Sequence, residues 1–165
     1  MPSTDGTYWT TDEKLFRTLP GSDEVTIWFG FIPSFHDWEI ERLDVTAGKA
    51  TIVFKARRTT SEIDARGFFV SDRHAHVSIH VDEITGISLV GDAGSIVHDL
   101  GIRRVAAEQG GWATAAGPQI GDLELTWESS IGLEGSFYAR EIRFSVQPAQ
   151  ARVAGLGRLP TPFPG

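Results

Sequence analysis

The chain has no cysteine and a single methionine among its 165 residues. Without cysteine there is no disulfide framework, no thiolate metal site, no cysteine-ligated iron–sulfur centre and no cysteine nucleophile. The redox compartment stays open on that count. No apolar run approaches the roughly 18 residues that a membrane-spanning helix requires. The opening Met1-Pro2-Ser3-Thr4-Asp5-Gly6 has neither the basic start nor the apolar core of a secretory signal, so the cytoplasm is the expected location. Basic residues are also in deficit, with 15 Lys and Arg against 22 Asp and Glu, a formal charge of −7. Non-specific nucleic-acid affinity rests on cations that neutralise phosphates, so neither nucleic acid nor membrane is expected as a partner. The glycine-rich phosphate-binding motifs and the Gly-x-Ser-x-Gly nucleophile elbow are absent as well.

What is present is a core-forming composition with many turn residues: 41% hydrophobic, with 18 glycines and 8 prolines. Such a balance builds a globular domain of short elements and excludes wholesale disorder. Thr10-Thr11-Asp12-Glu13 offers a capping box, with Thr10 as N-cap, ahead of a short helix stopped by Pro20-Gly21. Residues 25–29 alternate and read as a short strand, with Val25, Ile27 and Phe29 on one face and Trp28 on the other. From Trp38 the alternation changes phase. Trp38 and Ile40 share one register, Leu43 and Val45 the other, and a bulge near Glu41-Arg42 reconciles them. Ala47-Gly48-Lys49 is the turn into a clean strand whose Ala50, Ile52, Phe54 and Ala56 face inward.

Residues 67–70 read as a short buried stretch, and Ala75, Val77, Ile79 and Val81 mark the apolar face of another strand. Residues 103–109 suggest one or two helical turns ended by Gly110-Gly111. Leu123, Leu125 and Trp127 alternate with Glu124, Thr126 and Glu128, a half-buried strand whose partner spans 136–146. On that pattern Glu124 and Glu128 are outward carboxylates, and glycosidase-type pairing is not needed to explain them. The expected architecture is α+β and sheet-dominated: a curved, mainly antiparallel sheet with one or two short helices. Residues 1–148 form a single domain in this reading, and 149–165, with Pro160, Pro162 and Pro164, an extended tail.

Two constellations carry chemistry. The first is His74-Ala75-His76-Val77-Ser78-Ile79-His80-Val81-Asp82, in which period two places the three histidines on the polar face. Alternate residues lie about 6.6–6.8 Å apart, so His74 and His76, joined by His36 from another segment, would make a metal or hydrolytic site. The simpler reading is the solvated face of an amphipathic strand. The second is Ser34-Phe35-His36-Asp37-Trp38, where serine, histidine and aspartate stand side by side in a loop. Adjacent residues rarely aim their side chains at one another as a triad requires, so capping and anchoring roles are the plainer expectation. Asp37, Glu39, Glu41 and Asp44 form a local acidic group, for which solvation is the plainer reading and a basic protein partner the sharper one; Trp28 and Trp112 are candidate interface anchors, with packing under loops the plainer expectation.

The segment Phe29-Gly30-Phe31-Ile32-Pro33-Ser34-Phe35-His36-Asp37-Trp38-Glu39-Ile40 resembles the FG-x-x-PSFHDAEI opening of the bacterial immunity protein 50 family of polymorphic toxin systems. The likeness continues through residues 41–56 and is weaker in residues 77–89 and from Gly135 onward. Trp38 stands where that pattern has alanine. The resemblance implies a cytoplasmic, non-enzymatic protein that binds and neutralises a cognate bacterial toxin, with no cofactor and no catalytic residues. On that reading Trp28, Phe35, His36, Asp37, Glu39 and Glu41 are the candidate binding residues. A small metal-dependent hydrolase or metal-binding protein using His36, His74 and His76 is the alternative, and edge-to-edge pairing of the sheet into a homodimer is a further expectation.

Overall fold

The computed structural model describes residues 11–107 and 117–149. The expected N-cap Thr10, the candidate Trp112, the end of the helical turns expected at 103–109, and the tail from residue 150 lie outside the described residues. The elements run α1 (Glu13–Phe16), α2 (Ser22–Phe29), β1 (Glu39–Thr46), β2 (Lys49–Ile63), β3 (Phe69–Arg104) and β4 (Leu123–Pro148). All strand pairs are antiparallel, in the order β1-β2-β3-β4. The fold is therefore α+β and sheet-dominated, with two short helices.

The sheet curls back on itself. Besides pairing with β2, β1 places Glu39 opposite Ile96 and Ile40 opposite Ser95, in the distal half of β3. A strand as long as β3 meets both neighbours only by bending. Its irregularities coincide with Glu83 at φ 53° and with Gly91 and Gly94 at φ 117° and 84°. At Gly132, φ 97°, a Cβ would run into the carbonyl of Gly94, so the close approach of β3 and β4 at this bend demands glycine.

Period two organises the middle of the sheet as the residues dictate. Ala50, Ile52, Phe54 and Ala56 of β2, Ala75, Val77, Ile79 and Val81 of β3, and Ile142 and Phe144 of β4 are all buried. The β1–β2 register slips between Ile40 and Arg42, the bulge that the phase change required. It turns both Glu41 and Arg42 outward and returns Leu43 to the inner side.

The two helices close the inner face. The Asp12 carboxylate caps α1, accepting from the N–H groups of Lys14 at 3.0 Å and Leu15 at 3.1 Å. Phe16 then meets Phe144 with ring centroids 5.0 Å apart. The strand expected over 25–29 is corrected: the segment is helical. Val25 and Phe29, four residues apart, are fully buried, whereas Ile27 is 76% exposed. Alternation and helical spacing are both satisfied by Val25 and Phe29, and tertiary packing selects the helix. Asp23 and Glu24 favour its N-terminal turn, and Gly30 in the left-handed region ends it.

Three further expectations change. Residues 67–70 are not buried, since Phe68 and Phe69 are 66% and 64% exposed. Residues 103 and 104 finish β3, and 105–107 are not helical. Glu124 is not outward. It is 1% exposed, its Oε2 2.6 Å from Nε of Arg103, which lies directly opposite in register, and its Oε1 accepts from the Tyr138 hydroxyl at 3.1 Å. Burying a carboxylate is tolerable only with such partners. Register and the reach of Tyr138 decide the matter, and neither is visible in a strand's own alternation.

Candidate functional site

The site is the loop that joins α2 to β1. Phe35 and Asp37 both adopt left-handed backbone conformations, φ 62° and 61°, on either side of His36. For an L-residue that conformation costs about 1–2 kcal/mol. The surroundings hold it in place. Phe35 is 1% exposed, with its ring centroid 4.7 Å from Trp38 and 6.0 Å from Phe54, and burying such a ring contributes about 1.5–3 kcal/mol. Trp38 is buried as well, and its indole N–H donates to the Arg57 carbonyl at 3.0 Å. The backbone adds Asp37 N–H to Val97 O at 2.9 Å and Val97 N–H to Trp38 O at 2.9 Å. Trp38, where the family pattern has alanine, is thus one of the pins that fix the loop.

Held this way, the loop presents its polar side chains to solvent. His36 and Asp37 are half-exposed, with Nε2 and Oδ1 3.6 Å apart. Nδ1 of His36 lies 2.5 Å from the carbonyl oxygen of His98, which fixes the tautomer with the proton on Nδ1, and the two imidazole rings are 5.4 Å apart. His98 was not distinguished by the sequence; only the β3 bend that brings its strand beside this loop reveals it. Two clefts flank the loop and share Asp37 and Arg57. One, of about 460 Å³, lies among Asp37, Glu39, Lys55, Arg57 and His74. The other, of about 360 Å³, runs between Phe31, Pro33, Arg57 and Phe69.

The remaining candidates fall into place around it. Phe35 faces the core, so its part is to anchor the loop and not to touch a partner. Trp28 is half-buried. Its indole donates to the Arg73 carbonyl at 3.1 Å while the Arg73 guanidinium donates back to the Trp28 carbonyl at 2.8 Å, a reciprocal tie between α2 and β3. Glu39 is exposed and bridges to Lys55 at 3.2 Å. The β1 bulge sends Glu41 across β2 to His76, Oε2 to Nε2 3.0 Å. Asp44 pairs with Arg42 at 2.9 Å.

The histidines of β3 do alternate outward, yet they act separately. His74 lines the larger cleft, His76 bridges to Glu41, and His80 lies between Thr51 Oγ1 at 3.3 Å and Ser145 Oγ at 3.1 Å. Burial, and after it the charge of Arg143, holds the His80 imidazole below its ordinary range. The ring of His36 stands beside that of His98. Among the described residues no group of three His, Cys, Asp or Glu side chains is placed to hold a metal ion. What the arrangement offers chemically is a rigid, half-acidic ridge between two open clefts. Against protein-family models, curated proteins and solved structures, the chain finds no match.

Proposed function

We propose that this chain is a toxin-neutralising immunity protein that works in the bacterial cytoplasm by binding its cognate toxin directly, without cofactor or catalysis. The observation that carries the reading is the loop of residues 34–38. Two residues are held in a costly backbone conformation by buried aromatics, and the result is a fixed display of His36 and Asp37. Strain of this kind accumulates where a surface must be preorganised. Asp37, Glu39 and Glu41 extend the display along the bulged end of β1 and give it the charge that steers a basic partner into place. The resemblance of residues 29–40 to the immunity protein 50 opening falls on this same loop, which supports the toxin as the partner.

The test is co-expression with the toxin domain encoded beside this gene. The chain is expected to rescue growth and to co-purify with that domain. Asp37→Asn combined with Glu39→Gln, which removes two charges and leaves the loop anchors intact, is expected to weaken the complex at least tenfold, as loss of charged interface contacts does. If no neighbouring toxin domain associates with the chain, the proposal fails.

A further inference from the structure

The β2–β3 hairpin carries a second surface of different character. Ile63 and Phe69 face each other in register and are 63% and 64% exposed, and Phe31, 50% exposed, stands across the smaller cleft from Phe69. Contiguous large apolar side chains on a protein surface mark an interaction site far more often than scattered ones do. Their display is rigid. The Asp64 carboxylate accepts from the N–H groups of Arg66 at 2.8 Å and Phe68 at 3.0 Å, and Gly67, φ 87°, completes the turn. These bonds hold the Asp64 carboxyl below its usual range, the Phe68 N–H first among them.

Charge sets what fits beside the aromatics. Between residues 57 and 74 there are four arginines against three carboxylates, in a chain whose net charge is −7. Arg58 is engaged with Asp72, Arg66 with Asp64, and Arg73 with the Trp28 carbonyl. Arg57 differs. Its carbonyl holds Trp38, but its exposed side chain has no ion-pair partner among the described residues, and it stands on the rim of both clefts.

We infer that the cleft between Phe31 and Phe69 receives a surface segment of a protein partner in which an apolar side chain is flanked by a carboxylate. The ring or branched chain enters between Phe31, Pro33 and Phe69, and the carboxylate meets the Arg57 guanidinium. A volume of about 360 Å³ holds one or two such side chains. Aromatic residues with an adjacent arginine are the composition of interface hot spots. A single-stranded nucleic acid would also stack on phenyl rings, but it needs several cations along its backbone, and Arg57 alone is unengaged here. The inference rests on the protein-binding reading and adds a second contact to it, in which Arg57 supplies a charge opposite to that of Asp37 on the same cleft.

The experiment uses the full chain and two fluorescent probe peptides with the same Trp-Phe centre, one flanked by aspartates and one by lysines. Anisotropy is measured at about 150 mM salt, where bulk electrostatics is screened beyond about 8 Å. The aspartate peptide is expected to bind at least tenfold more tightly than the lysine peptide. Phe69→Ser is expected to weaken it about tenfold, and Arg57→Glu to reverse the preference; both side chains are exposed, so the fold is retained in each variant. Equal affinity for the two peptides, or binding indifferent to both substitutions, would overturn the inference. So would tighter binding to a mixed-sequence single-stranded DNA or to phosphatidylglycerol vesicles. A dimer in light scattering that Phe69→Ser dissolves would assign the cleft to a second copy and overturn it too. Toxin co-purification, run in parallel with Phe69→Ser, separates the two readings. A toxin that still binds while the peptides show no selectivity removes this cleft alone, and peptide selectivity without any toxin binding removes the toxin reading alone.

Discussion

The loop of residues 34–38 and the hairpin of residues 59–70 reach the same end by opposite arrangements. The loop buries its aromatics, Phe35 and Trp38, and shows its charges. The hairpin shows its aromatics, Phe68 and Phe69, and turns its polar groups inward on the turn, where Asp64 gathers the local N–H groups. One is irregular backbone fixed by tertiary packing. The other is a hairpin turn fixed by local hydrogen bonds. The comparison teaches that the burial of a ring, and not its type, sets what it contributes to the fold.

The sharpest way to break the comparison is to delete a ring from each side. Phe35→Ala removes a fully buried phenyl and is expected to cost about 3–5 kcal/mol in urea denaturation, whereas Phe69→Ser should stay within roughly 0.5 kcal/mol of the parent. Comparable losses would show that the hairpin packs on something and is not a free surface. Next in size is Gly67→Ala. With φ 87° and open space around it, the added methyl meets no neighbour but strains the turn, and about 1 kcal/mol of stability should be lost. A neutral result would mean that the turn relaxes and that the display of Phe69 is not rigid.

The smallest effect concerns pH. The folded state holds the His80 imidazole below its ordinary range, chiefly by burial and secondly through Arg143, with Asp82 opposing. Unfolded, the same side chain takes up a proton more readily, so its contribution is complete above about pH 6.5 and falls as the solution is acidified through that value. His80→Gln should flatten thermal stability between about pH 7 and 5. Asp72, held low mainly by its hydrogen bond to Arg58, acts later. Its contribution is present above the ordinary carboxylate range and disappears only as the pH drops through the folded value below it. An unchanged pH profile in the His80 variant would place the sensitivity in another group.

Much of the sheet was legible because its middle strands bury one face only, and period two then writes the inward residues into the sequence, from Ala50 to Ala56 and from Ala75 to Val81. The bulge was legible for the same reason, as a slip in phase between Ile40 and Leu43. Failures came where a segment answers to two partners. Val25 and Phe29 fit either period, and Glu124 is polar on a face that Arg103 and Tyr138 close over. The loop residues His36 and Asp37 were found by their chemical types, but their neighbours were not. His98 comes from sixty residues along the chain, and only the bend in β3 delivers it.

That bend has a consequence for how the molecule assembles. The β1–β2 hairpin closes over Ala47-Gly48, and β3 with β4 can zip from Arg104 and Leu123 outward to Ala75 and Pro148. The Glu39–Ile96 and Ile40–Ser95 pairs form only when these two pieces meet. Closing that span costs loop entropy for only two register pairs, so this docking is expected late on the folding route. The strained loop precedes Glu39 directly and takes its shape from Val97. It therefore takes shape only with that docking, and a chain that has not yet made it has no ridge to offer.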